Sequence, residues 1–224
     1  MNVIVFASRK GGSGKSTLTA HLAAHAHKSS RPCLLIDADP QGSLTLWHGL
    51  RGTGEPPLKS GLRGVADLLK AAKRDYEWVF IDTPPAVSGA ATEAIRAATL
   101  VIIPTRPAVF DLAAVRETID SCRSVRKPYA VVINAAPVKR GDQEASIVSE
   151  AREGLAKLRV PVWGGQITQR TNFCISLAAG EAVREYDADS AGAAEIGRLW
   201  TAITKSVQAI EGAYSGAVMH KAAA

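Results

Sequence analysis

Residues 10–17 read KGGSGKST, a spacing of glycines, lysines and hydroxyls suited to holding a phosphorylated ligand. Gly11, Gly12 and Gly14 lack a Cβ, so the backbone can take left-handed turns and point successive N–H groups at phosphate oxygens. Lys15 is spaced to reach β and γ phosphates and the Ser16 hydroxyl to ligate Mg²⁺. The octet follows the apolar run NVIVFAS and precedes LTAHLAAHA. It therefore falls where a strand gives way to a helix, whose positive N-terminal end adds to the anion site. The loop from Lys10 through Ser13 to Thr17 is the expected nucleotide cradle.

Acidic residues end two further apolar runs. LLIDADPQG brings Asp37 and Asp39 to the end of one run, with Pro40 and Gln41 opening a turn; WVFIDTPPA brings Asp82 to the end of another. Phosphoryl transfer to water needs an oriented nucleophile and a metal that absorbs developing charge. Carboxylates just beyond strand ends suit both tasks, and Asp82 sits where a Walker B acid holds Mg²⁺. Asp37 and Asp39 also suit a turn or a helix N-cap.

These groups must be positioned by the elements around them. Apolar runs that read as buried strands recur as NVIVFAS, PCLLIDA, EWVFIDT, TLVIIPT, YAVVINA and VPVWG. Helix-period segments lie between and after them at 15–29, 64–73, 109–126, 142–158 and 191–211. This alternation predicts an α/β fold, a doubly wound and mostly parallel sheet with helices on both faces. In such a sheet a ligand binds beyond the carboxyl ends of the strands, where the motifs fall. The segment 49–61, rich in Gly and Pro, reads as an exposed loop. Residues 1–211 read as one domain and 212–224 as a flexible tail.

Composition narrows the compartment and the partner. The chain has 224 residues, 46% hydrophobic and only 5% aromatic, enough for a large core without disulfide staples. Three scattered cysteines, Cys33, Cys122 and Cys174, form no C-x-x-C pair, which points to a reducing compartment and away from a zinc site. The apolar stretches are broken well before a bilayer-spanning length, and no signal sequence is evident, so a cytoplasmic protein is expected. A formal charge of +6 and a pI near 9.4 favour an anionic partner. His21 and His25 are four apart on a helix, the spacing of a metal pair. No general-base glutamate follows His21, so both read as ordinary helix residues.

The phosphate loop departs from the usual G-x-x-x-x-G-K-[ST], having Arg9 and then Lys10 at its start. The second lysine resembles the deviant Walker A P-loop NTPases, which include ParA partition ATPases, MinD, the nitrogenase iron protein and the arsenite-pump ATPase. The likeness extends through DADPQG, IDTPPAVSGAATEA, ATLVIIPTRPAVFDLAAV and VVINAAPVKR, over residues 2 to about 205. It implies an ATPase using ATP and Mg²⁺, slow alone and stimulated by a partner. In that family Lys10 would reach across a nucleotide-sandwich homodimer to the partner's phosphates. Asp39 would position the attacking water, Asp37 would support Mg²⁺, and Asn134 would contact the adenine, although an asparagine there also suits a turn. Arg106 stands where the family often has Gln.

Within the family, the C-terminal AVMHKAAA lacks the amphipathic membrane helix of MinD-like proteins, and the cysteines cannot hold an iron–sulfur cluster. The best match is therefore a small ParA-type ATPase. The resemblance implies nonspecific DNA binding on the nucleoid, positioning of a plasmid or chromosome locus or a protein cluster, and release by a ParB-like adaptor. Arg170, Arg198 and Lys205 are the DNA-contact residues expected from the likeness of ITQRTNFCISLAAGEAVREY to a ParA segment and from local charge. A MinD-like membrane-associated ATPase and a metallocluster carrier are the alternatives.

Overall fold

Within each of the main strands, successive apolar side chains are buried on opposite faces, as a sheet covered on both sides requires. A computed structural model describes residues 1–85, 88–141 and 143–222, without the side chains of Phe110 and 214–222. The strands are β1 (Asn2–Phe6), β2 (Cys33–Asp37), β3 (Leu58–Ser60), β4 (Trp78–Asp82), β5 (Leu100–Thr105) and β6 (Tyr129–Ile133). They pair in the order β3-β2-β4-β1-β5-β6, and every pairing is parallel. The expected "mostly parallel" sheet is thus wholly parallel among the described strands.

One face, built on Val3, Val5, Ile81 and Ile103, is covered by α3 (Ala66–Ala72), α4 (Gly89–Ala97), α5 (Val109–Ser124) and α6 (Ser146–Lys157). The other, built on Ile4, Phe6, Phe80 and Ile102, is covered by α1 (Lys15–Ala26), α2 (Ser43–Arg51), α7 (Thr171–Ala178), α8 (Val183–Tyr186) and α9 (Ala191–Ala222). Fully burying a Val, Leu, Ile or Phe side chain contributes roughly 1.5–3 kcal/mol, so these two layers dominate the stability.

Two expectations about strands change. VPVWG forms no strand: Val162 makes a single parallel bridge to Val131, because Pro161 has no N–H to donate and Gly164–Gly165 turn the chain away. A short edge strand, β3, arises from the segment read as an exposed loop. Pro57 accepts from the Leu35 amide at 2.9 Å and so starts the pairing without needing a donor of its own. Gly61 is buried there, since a Cβ would lie 2.8 Å from Ile36 Cγ2.

The last helix runs past Glu211 to Ala222, through most of the segment read as a tail. No proline interrupts 191–222, and the alanine-rich sequence has high helix propensity. Residues 223 and 224 lie outside the described residues. No described helix is long and apolar enough to cross a membrane.

Candidate nucleotide site

The parallel register decides which side chains meet. Asp37 pairs with Asp82 across β2 and β4, and Phe6 pairs with Asp82 across β1 and β4. Neighbouring strands lie about 4.8 Å apart, so both carboxylates stand at one edge beside the start of the phosphate loop. Gly12 and Gly14 have φ of 71° and 98°, and Gly14 caps α1 in the left-handed region. The turn that needs glycine is thus where the motif places it.

The loop is fixed from two sides. The Asn134 Nδ2 donates to the Ser13 carbonyl at 2.8 Å, and Asn134 is only 7% exposed. A Cβ on Gly14 would fall 2.0 Å from that nitrogen. On the opposite side, the Arg9 amide donates to Thr118 Oγ1 and its guanidinium to Glu117 at 2.8 Å, so α5 holds the loop's entry. Lys10 is half-buried, and its side chain has no ion pair or hydrogen bond among the described residues.

Lys15 is 6% exposed. Burial lowers its pKa, and the nearby Asp82 and Asp39 oppose that shift. Asp82 is fully buried, and neither of its carboxylate oxygens has a hydrogen-bond partner. Burial is the main force pushing its pKa up to about 7, with Asp37 and Asp39 adding to it; the Ser16 hydroxyl and Lys15 pull the other way. Ser16 is thus near Asp82 but outside hydrogen-bonding geometry. A buried carboxylate left unpartnered beside a hydroxyl has the chemistry of a cation site. Among the described residues no group of three or more His, Cys, Asp or Glu could hold a metal.

Asp37 is more engaged than the resemblance implies. Its Oδ2 accepts from the Thr45 amide at 2.8 Å and hydroxyl at 2.6 Å, and its Oδ1 from the Asp39 amide at 3.1 Å. It acts here as an anchor for the following turn and the start of α2. Asp39 accepts from the Gln41 amide at 3.0 Å and lines a cleft of about 660 Å³ with Gly11, Gly12, Lys15, Ser16 and Thr17. Arg106 forks onto Asp111 with contacts of 2.8 and 3.2 Å, which steadies the entry to α5. The segment TPPAVSGAATEA of the resemblance spans 83–94, of which 86 and 87 lie outside the described residues; Thr83 donates to the Phe6 carbonyl at 2.8 Å.

Sequence reading missed α2 and its residues Thr45, Trp47 and Arg51. Trp47 lines the cleft and donates to the Glu181 carbonyl, while Arg51 forks onto Glu185 at 2.6 and 2.5 Å. The signal was present in SLTLWHGLRG: Leu44 and Trp47 lie three apart, and Gly52 follows as a left-handed cap.

The expected DNA residues are spread apart. Arg198 and Lys205 are exposed, seven apart on α9. Arg170 donates through Nη2 to Glu195 at 3.0 Å and is largely covered, although its buried Nε has no partner among the described residues. His21 accepts from the Val183 amide at 3.0 Å inside the core, where burial lowers its pKa to about 4.

The chain is similar to proteins of known name. A family model described as the CobQ/CobB/MinD/ParA nucleotide-binding domain matches residues 4–183. The maintenance of carboxysome distribution protein A of Halothiobacillus neapolitanus is 27% identical over 198 residues, spanning 86% of this chain and 91% of that one. The chromosome-partitioning ATPase Soj of Thermus thermophilus is 30% identical over 154 residues, spanning 55% and 62%. Among solved structures, apo McdA of Cyanothece superposes with a TM-score of 0.74 at 18% identity, covering 88% of this chain and 98% of that one. MinD of Pyrococcus horikoshii with Mg-ADP gives 0.74 at 19% identity, covering 93% and 98%. With a match running from β1 into α8 and taking in the phosphate loop, Asp39 and Asp82, the chain belongs to the CobQ/CobB/MinD/ParA family of nucleotide-binding domains.

Proposed function

We propose that this protein is an ATPase that dimerises around two ATP molecules, binds DNA without sequence preference and positions a cargo on the nucleoid until an adaptor triggers hydrolysis. The observation that carries the chemistry is the convergence of Lys15, Asp39 and the unpartnered Asp82 on one phosphate loop. Lys15 draws the β and γ phosphates; Ser16 and Asp82 would hold Mg²⁺, which when bound would supply positive charge against the phosphoryl oxygens. Asp39, fixed by its turn at the cleft wall, orients the attacking water. Asp37 keeps that turn in place, and Asn134 holds the Ser13 carbonyl so that the loop amides face inward.

The positioning role is supported by relatives named for carboxysome distribution and chromosome partitioning. The test is Asp39→Ala. It is expected to bind ATP as tightly as the wild type, with phosphate release reduced at least about 100-fold, the scale of losing a well-placed catalytic group. Turnover at the wild-type rate would assign the water to another residue.

A further inference from the structure

The clearest unassigned feature lies at the end of the sheet opposite the phosphate loop. Two adjoining hollows of about 490 and 440 Å³ share Ala26, Lys28 and Trp200. The first is bounded by His25, Arg184 and Glu185, and the second by Arg31 and Trp78, at the start of β4. Lys28 and Arg31 exchange backbone hydrogen bonds of 2.8 and 3.3 Å, so a tight turn presents both cations at the rim.

Charge in this groove is unbalanced. Lys28 and Arg184 are exposed, and their side chains have no ion pair or hydrogen bond among the described residues. Arg31 reaches Glu77 only at 3.7 Å, with both groups well exposed. The one acid on the wall, Glu185, is already satisfied by Arg51 and by the Ala182 amide at 2.7 Å. Between the cations lies His25, whose Nδ1 is buried without a partner. Burial, chiefly, and the charges of Arg184 and Lys28 together lower its pKa to about 4. The imidazole is thus neutral at pH 7 and within the field of both. The groove therefore has cationic rims and an aromatic floor, with no unpaired acid among the described residues that line it.

We infer that this groove, through Lys28, Arg184 and Arg31, binds phosphates of the DNA backbone. The inference rests on the DNA-binding reading above and gives that activity a location other than Arg170. Two points favour a nucleic acid over a small anion. The two hollows adjoin, so that Lys28, Arg184 and Arg31 line one run of surface rather than a single pocket, and the chain carries a net charge of +6. The groove also faces away from the phosphate loop, so it stays accessible when a second copy covers the nucleotide.

The experiment measures anisotropy of a fluorescein-labelled 24-base-pair duplex with ATP and Mg²⁺ across a salt series. It compares wild type, Lys28→Glu/Arg184→Glu, Arg198→Glu/Lys205→Glu and the conservative pair Lys28→Arg/Arg184→Lys. Losing two phosphate contacts should weaken binding by about tenfold or more and flatten the slope of log affinity against log salt by about 1.8. The conservative pair should bind as the wild type does, and all variants should keep their DNA-free ATPase rate, which shows that they are folded. A groove variant that binds normally while the α9 variant does not would overturn the groove and leave the DNA reading standing. Wild-type protein that binds no duplex in any nucleotide state would overturn that reading as well. Groove-dependent binding to phosphatidylglycerol vesicles without duplex binding would replace DNA with a lipid surface.

Discussion

On the proposed reading, Asp82 is poor for stability and right for function. In the ligand-free chain burial raises its pKa to about 7, well above the ordinary 3.8. Between those values the folded state holds a proton that the unfolded state has lost, so stability falls as pH rises through that window. Asp82→Asn removes the titration. It should stabilise the nucleotide-free protein at pH 8 by on the order of 2–4 kcal/mol and make no difference near pH 4. It should also abolish Mg²⁺-dependent ATP binding. Thermal unfolding at the two pH values checks the first outcome and isothermal titration the second. An equal effect at both pH values would mean that the carboxyl is charged throughout and held by something else. Arg9 is a second residue read differently once seen in place. It occupies the position of the usual first glycine, and its contacts to Glu117 and Thr118 turn that substitution into a tether.

At the scale of elements, the strand ends and the loop were legible because their causes are local. Four or five apolar residues followed by Asp mark a buried strand opening into a site, and the glycines mark left-handed turns. What could not be read was which elements brace one another. Asn134 is 121 residues from Ser13, and Arg51 is 134 from Glu185; such pairs depend on the order of strands and helices, which local pattern does not contain. The missed α2 is short, its start fixed by Asp37 and its end by Arg51, so tertiary contacts rather than propensity define it. The brace from the β6 end to the phosphate loop can be tested as a unit. Asn134→Ala should cost about 1–2 kcal/mol, because it leaves a buried carbonyl unpaired. Gly14→Ala should cost more, since it combines a clash with Asn134 and a φ of 98°. The double variant should lose less than the sum of the two, because the atom that the new Cβ would strike is gone. Strict additivity in denaturant unfolding would show that Asn134 does not press on the loop.

At the scale of the molecule, the two ends of the sheet divide the labour on the proposed reading. The carboxyl end gathers the phosphate loop, Asp39 and Asp82, and the amino end carries the basic groove, so nucleotide and polyanion need not compete for one surface. The proposed dimer would give Lys10 a purpose that a monomer does not supply. It is half-buried beside Gly11 at the start of the phosphate loop, and its side chain has no ion pair or hydrogen bond among the described residues. Were its target the phosphate of its own nucleotide, removing it should weaken ATP binding much as loss of Lys15 would. If instead it reaches the γ phosphate held by a second copy in a twofold, isologous pair, the two variants should part company. Lys15→Ala should lose nucleotide binding outright. Lys10→Ala should bind ATP within about threefold of wild type, which is less than 1 kcal/mol, yet remain monomeric with ATP and Mg²⁺ by light scattering. Placed in the Asp39→Ala background, where hydrolysis is blocked and the dimer should persist, the substitution should still dissolve it. ADP should leave every variant monomeric, because it lacks the group that Lys10 would grip. A Lys10→Ala protein that dimerised normally with ATP would return Lys10 to its own subunit and require another residue to report the γ phosphate across the interface.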